Sequence, residues 1–118
     1  MDFEWFKNYC LSKKGAAETY PFDDKTTVFK VGSKMFALTN KNSNPLSISL
    51  KCEPYLSQDL RREYSSITPG YHLNKFHWNT IQLDDSIEEE KVRLLIDLSY
   101  DLVFKGLKNS DKLNISLK

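Results

Sequence analysis

The residues best suited to chemistry are concentrated in one short stretch, residues 71–83. Imidazole, amide, ammonium and indole groups follow one another there within a few positions. They belong to His72, Asn74, Lys75, His77 and Trp78. Such a combination is typical of a binding surface, and it is also typical of an ordinary entry from a loop into a strand. Periodicity alone leaves both interpretations open.

Neither histidine belongs to a recognisable catalytic or metal-binding motif. His72 and His77 are five residues apart, with no cysteine nearby and no H-E-x-x-H pattern, so flanking or hydrogen-bonded histidines are the simpler interpretation. The sequence also lacks a glycine-rich phosphate loop and a G-x-S-x-G elbow. We therefore predict no metal, no cofactor, no evident small-molecule substrate and no enzymatic activity. An enzyme would need both histidines in one cleft beside a carboxylate.

Length and composition restrict the possibilities further. A chain of 118 residues is enough for one compact domain, so we predict a single domain over residues 1–118. The net charge of +1 gives no global attraction to nucleic acid, and any such binding would need a local basic patch. No apolar run approaches the roughly 20 residues that cross a bilayer. The acidic, aromatic start does not resemble a secretory signal. We expect a cytoplasmic protein with no membrane partner, and Cys10 and Cys52 as buried free thiols.

Three helices are predicted from capping signals and apolar spacing. They cover residues 3–14, 55–64 and 87–107. Asp2 can cap the first, Pro54 suits the start of the second, and Ser86 with Glu89 forms a capping box before the third. The third helix has an inward apolar stripe, which consists of Val92, Leu95, Ile96, Ser99, Leu102 and Val103.

Four strands are predicted, at residues 26–31, 34–39, 46–50 and 76–83. The first two flank Gly32-Ser33 and form a hairpin. Residues 46–50 alternate between apolar and polar side chains, as in a sheet with one buried face. Residues 16–25 and 65–70 are interpreted as connections, with Tyr20 and Phe22 against the core, and the tail 111–118 fits a strand, a helix or a frayed end. The sequence thus predicts an α+β domain with an antiparallel sheet of about four strands and helices packed on it.

Strand parity assigns a second set of residues to the other face of this sheet. If Ile81 faces the core, Trp78 and Thr80 face away from it. The same reasoning places Lys30 and Lys51 on that face. Aromatic rings interleaved with lysines can stack bases and neutralise phosphates. The alternatives are that the parity is reversed or that the tail covers this face, and either would make Trp78 a core residue.

In several segments the sequence resembles the MmcQ/YjbR family of bacterial proteins. The resemblance is carried by Tyr71-His72-Leu73-Asn74-Lys75, by His77-Trp78 and by Ser99-Tyr100 in the third helix. Lys14-Gly15-Ala16 and Tyr20-Pro21-Phe22 resemble the family's connection after helix one, although lysine here precedes Gly15 where the family usually has proline. The resemblance implies a curved antiparallel sheet of the double-wing type. It also implies DNA binding, an implication that rests on similarity of shape to the sheet of a phage transcription factor.

We therefore predict a non-enzymatic DNA-binding protein. In this hypothesis Lys30, Lys51, Lys75 and His72 contact phosphates. Asn74 or Trp78 lies near the bases, and His77 is a further candidate. Phosphate contacts would make the affinity fall steeply with salt. The alternative is a protein-interaction module in which the half-open sheet holds a peptide or a second copy of the chain. It predicts an exposed apolar patch around Phe76 and Trp78.

Overall fold

A computed structural model describes residues 1–70 and 73–117 of the chain. In these ranges it has four helices, α1 (Phe3–Leu11), α2 (Pro54–Glu63), α3 (Glu89–Lys105) and α4 (Asn109–Ser116). The strands in the same ranges are β1 (Ala16–Thr19), β2 (Thr26–Val31), β3 (Lys34–Asn40), β4 (Ser47–Lys51), β5 (Ile67–Pro69) and β6 (Trp78–Gln82). No helix in this part of the chain is long and apolar enough to cross a membrane.

The strands form one open antiparallel sheet in the order β1-β2-β3-β4-β6-β5. The predicted α+β class and antiparallel pairing are confirmed. The expectation of about four strands is wrong, because the described residues contain six. β1 and β5 add one strand at each edge, in segments that the sequence predicts as connections. Strands of four and three residues are too short to show a clear alternation of apolar and polar side chains, so their backbone pairing has no sequence signature.

The β2–β3 hairpin contains a bulge that changes which side chains of β3 face the helices. Gly32 supplies the left-handed conformation of its turn, with a φ of 61°. Phe29 pairs with Ala37, but Lys30 pairs with Met35, so β3 has one extra residue. That extra residue is Phe36, which joins Ala37 in the main core while Met35 packs on the opposite face. The bulge therefore turns two consecutive side chains of β3 toward the helices.

The helices pack on one face of the sheet and enclose the main core. α1 contributes Phe6 and Cys10, and α3 contributes Val92, Ile96 and Val103 among others. The tail, whose structure the sequence left open, forms α4 and buries Ile115 in the same core. Gly15 permits this packing, because a Cβ at that position would lie 3.0 Å from Ile115 Cγ2 and the φ of Gly15 is +75°.

Several local predictions are wrong. Glu88, not Ser86, is the N-cap of α3, and the Ser86 hydroxyl instead donates to Asp84 Oδ1 at 2.6 Å. Leu102 is 36% exposed, because it lies outside the stripe that faces the sheet. Tyr20 and Phe22 are exposed instead of tucked against the core. Cys10 and Cys52 are buried free thiols as predicted, and burial raises the pKa of both.

Candidate functional site

The face of the sheet that points away from the helices is the candidate site, and we call it the second face. A small apolar cluster of Val28, Leu38 and Trp78 lies on it, separate from the main core, with Met35 and Leu73 packed around it. The predicted strand parity is therefore confirmed. The alternative that the tail covers this face is wrong, since Ile115 of α4 lies in the main core on the opposite side.

Trp78 has little surface available to a partner. Its exposed fraction is only 7%, because Leu38, Met35 and Leu73 pack around the indole. Phe76, two residues earlier, is 71% exposed. Of these two rings Phe76 is thus the exposed one, and the indole of Trp78 fills the small cluster.

Asn74 shapes the turn that leads into β6. Its Oδ1 accepts a hydrogen bond from the backbone N–H of Phe76 at 2.9 Å. Its backbone carbonyl accepts from the N–H groups of His77 at 3.1 Å and Trp78 at 3.0 Å. An asparagine that bonds its own backbone two residues on is a common way to build a turn. The side chain is therefore engaged in the turn, while Lys75 and His77 are exposed on its surface.

Arg61 of α2 also holds the turn that leads into β6. Its Nε donates to Asn79 Oδ1 at 2.7 Å, and its Nη2 donates to the carbonyls of Lys75 and Trp78. The five N–H donors of a guanidinium suit such a clamp. Sequence reasoning placed Arg61 only on the surface of a helix, since no local pattern signals a contact across 18 residues.

The three predicted lysines lie at one end of the second face. Lys51 is directly opposite Trp78 in the β4–β6 pairing, and Lys30 is opposite Met35 in the β2–β3 pairing. Two strand spacings of about 4.8 Å put the backbones of Lys30 and Lys51 about 10 Å apart. Lys75 lies in the turn that precedes Trp78. We call Lys30, Lys51 and Lys75 the lysine end. His72, the other predicted phosphate contact, is outside the described residues.

The opposite end of the second face contains a groove of about 470 Å³. Its apolar lining is formed by Phe22, Leu38 and Leu73. The hydroxyl-bearing residues of its lining are Thr26, Thr39, Ser47, Ser49 and Thr80. Ser49 Oγ and Thr80 Oγ1 are 3.0 Å apart and hydrogen-bonded. The alternation in the sequence placed Ser49 and Thr80 on this face correctly, but it gave no sign that Phe22 closes a groove over them.

Asp23 is the only charged side chain among the described residues that line this groove. Its Oδ1 accepts hydrogen bonds from the backbone N–H groups of Thr26 at 2.6 Å and Lys25 at 2.9 Å. These bonds, the Thr26 bond foremost, hold the pKa of the Asp23 carboxyl below its ordinary value. The groove therefore contains a carboxylate that is ionised at neutral pH. Across residues 1–70 and 73–117, no group of three or more His, Cys, Asp or Glu side chains is arranged to hold a metal ion.

Sequence comparison places this fold among known proteins. The family model described as YjbR matches residues 11–102. The chain belongs to the YjbR family. The resemblance seen in residues 71–78 and in Ser99-Tyr100 is thereby confirmed. YjbR-family relatives include the uncharacterized protein YjbR of Escherichia coli K12, which is 39% identical over 92 residues and 78% of each chain. The uncharacterized protein YbdF of Escherichia coli O157:H7 is 39% identical over 93 residues, which are 79% of this chain and 76% of YbdF.

Solved structures of two bacterial proteins have the same fold. The crystal structure of Deinococcus radiodurans protein DR2400, a DUF419 domain, superposes with a TM-score of 0.92 and 39% identity, covering 98% of this chain and 88% of that one. A crystal structure of a Pseudomonas syringae protein gives a TM-score of 0.73 at 28% identity, covering 86% and 98% of the two chains.

Two residues of the family resemblance hold the fold together. The Ser99 hydroxyl, fully buried, donates to the Phe36 carbonyl at 2.5 Å and accepts from the Lys51 N–H at 2.9 Å. Tyr100 donates its phenolic hydrogen to the Lys14 carbonyl and packs edge-on against Phe36. Ser99 thus ties α3 to two strands at the bulge, and Tyr100 ties it to the turn between α1 and β1. These contacts explain the serine–tyrosine pair in structural terms.

Proposed function

We propose that this YjbR-family chain is a non-enzymatic DNA-binding protein that contacts phosphates through the lysine end of the second face. The observation that supports it is the convergence of Lys30, Lys51 and Lys75, from two strands and a turn, at one end of a face that no helix of the described chain covers. Lysines whose backbones lie about 10 Å apart on one face, as Lys30 and Lys51 do, can each reach a phosphate of the same DNA backbone.

Recognition in this proposal is independent of base sequence. Trp78 is buried and Asn74 is engaged in its turn, so the bases would meet only Phe76 and His77. Binding through three phosphates gives a slope of about −2.7 for log affinity against log salt, since each contact contributes about −0.9 on duplex DNA. The affinity should therefore fall about 40-fold between 50 and 200 mM salt.

The test is a fluorescence-anisotropy titration of random-sequence duplex and single-stranded DNA at both salt concentrations. Lys75→Ala should weaken binding to all sequences alike and reduce the salt slope by about one. Lys105→Ala is the matched control, because Lys105 is also exposed but belongs to α3 on the opposite side of the sheet. Absence of binding at 50 mM salt, or equal effects of the two variants, would refute the proposal.

A protein-interaction module is the second candidate, and the exposed aromatic residues favour it. Phe76 and Phe22 expose 71% and 63% of their surfaces beside the second face. A second molecule that covered these rings would remove their apolar surface from water, which favours association. In this case the partner would be a second copy of the chain, and sedimentation velocity should show reversible association that Phe76→Ser abolishes. A chain that stays monomeric at several hundred micromolar would exclude it.

A further inference from the structure

The groove at the end of the second face away from the lysines has the character of a ligand site. We propose that it binds a small organic cation, namely a primary amine attached to an apolar body about the size of one ring. This inference is independent of the proposed DNA contacts, which use the lysine end. The groove, lined by Phe22, Asp23, Leu38 and Leu73 with hydroxyls beside them, supplies both parts of such a site.

The shape of the groove fits a small molecule. Its volume of about 470 Å³ lies within the range of roughly 300 to 1,000 Å³ that small-molecule sites occupy. Leu38 is nearly fully buried and forms part of the apolar lining. Phe22 lines the same groove yet exposes 63% of its surface to solvent. An apolar ligand that settled against Phe22 and Leu38 would remove this ring surface from water, which is the main favourable contribution to binding.

The charge of the groove selects a cation. Among the described lining residues Asp23 is the only charged one, so an ammonium meets an opposite charge and no lysine, arginine or histidine in the lining. Among the described residues no lysine or arginine forms an ion pair with Asp23. An anion of the same size would be repelled by Asp23.

The hydrogen bonds of Asp23 leave one oxygen for the amine. Oδ1 is engaged by two backbone N–H groups, whereas Oδ2 has a long contact of 3.4 Å with Thr26 Oγ1. A carboxylate accepts about four hydrogen bonds in total. Oδ2 can therefore accept a charge-assisted bond from a ligand ammonium, while Oδ1 keeps the turn in place. The carboxylate is fixed before the ligand arrives, which reduces the entropy lost on binding.

Three probes with the same phenyl body test the inference. Phenethylamine, 2-phenylethanol and 3-phenylpropionate carry a cation, a neutral hydroxyl and an anion, and each is titrated into the ¹⁵N-labelled full chain by NMR. We expect saturable shifts for phenethylamine at residues 22–26, 38, 47–49 and 80, with an affinity at least tenfold above that for 2-phenylethanol. The propionate should show the weakest binding. Equal affinities for the three probes, or shifts centred elsewhere, would overturn the inference.

One variant and its control test whether the Asp23 carboxylate binds the ammonium group of the ligand. Asp23→Asn should reduce the affinity for phenethylamine to that for 2-phenylethanol, and the asparagine Oδ1 can still accept the bonds from Lys25 and Thr26 that shape the turn. Asp84→Asn is the matched control, because Asp84 also accepts from a backbone N–H two residues on, at 3.1 Å from Ser86, but lies outside this groove. An unchanged preference for the amine in Asp23→Asn would refute the role of this carboxylate.

A third variant tests the apolar half of the site without endangering the fold. Phe22→Ala removes an exposed ring, so the core stays intact. The affinities for phenethylamine and 2-phenylethanol should fall by similar factors, because both probes lose the same apolar contact. A variant that binds both probes as the unmodified chain does would show that the groove is not the binding site.

Discussion

Ser99 offers the most demanding test of how this fold is held together. Its hydroxyl is fully buried and makes two hydrogen bonds, to the Phe36 carbonyl and from the Lys51 N–H. Ser99→Ala removes both and leaves a backbone donor and a backbone acceptor without partners inside the protein. Each unsatisfied buried group costs roughly 1–3 kcal/mol. Allowing for partial relaxation, we expect the free energy of unfolding to fall by about 2–4 kcal/mol, a large part of a total of about 5–15 kcal/mol.

Ser57 is a matched control on the neighbouring helix. It is also buried, but its Oγ has no hydrogen-bond partner of normal geometry in the described chain and merely lies near the Cys52 thiol. Ser57→Ala removes an unsatisfied hydroxyl, so the stability should change by less than about 1 kcal/mol or rise slightly. The two substitutions delete the same atom, and their difference therefore isolates the hydrogen bonds of Ser99.

The measurement is urea unfolding followed by far-ultraviolet circular dichroism, with the free energy extrapolated to water. The midpoint of Ser99→Ala should fall while the slope stays constant, since the surface exposed on unfolding is unchanged. A loss below about 1 kcal/mol, or a loss equal to that of Ser57→Ala, would contradict the assigned role of Ser99. The bulge in β3 would then have to be maintained by side-chain packing alone.

Two further predictions concern the thiols and the guanidinium clamp. Cys10 and Cys52 are buried and their pKa values are raised by burial, so DTNB at pH 8 should label them slowly in the folded chain and at once in urea; rapid labelling of the folded chain would contradict this. Arg61 donates hydrogen bonds to the carbonyls of Lys75 and Trp78. Arg61→Met should therefore release the turn before β6 and increase amide hydrogen exchange at His77 and Trp78. Exchange in α1 serves as the internal reference.

The central sheet could be predicted because its strands carry a strong local signal. Residues 46–50 alternate between aliphatic and polar side chains, and the observed β4 buries Ile48 and Leu50 on the helix face. The hairpin around Gly32 was also predictable, since a Gly-Ser pair between two strand-like runs is a typical hairpin turn, and the φ of Gly32 is 61°. β1 and β5 could not be predicted, because short edge strands are defined by the neighbour with which they pair and hardly at all by their own composition.

The candidate site was predictable only in part. Parity placed Lys51 and Trp78 on one face, and the β4–β6 register sets them opposite each other. The burial of Trp78 and the groove beyond it depend on Leu73 and Phe22, which lie in connections whose path the sequence does not specify. Asp23 lies in a segment that the sequence predicts as a connection, and its carboxylate does hold a turn there. Its additional position in the lining of a groove follows from tertiary structure alone.

The edges of the sheet restrict how this protein can meet other molecules. β5 has only three residues and ends at Pro69, which has no N–H to offer to a further strand. At the other edge β1 has four residues, and its Glu18 pairs with Lys7 of α1 at 3.4 Å. Short edges that carry proline and charge are poor templates for strand addition. The sheet should therefore resist the edge-to-edge growth that leads to fibrils, even in a crowded solution.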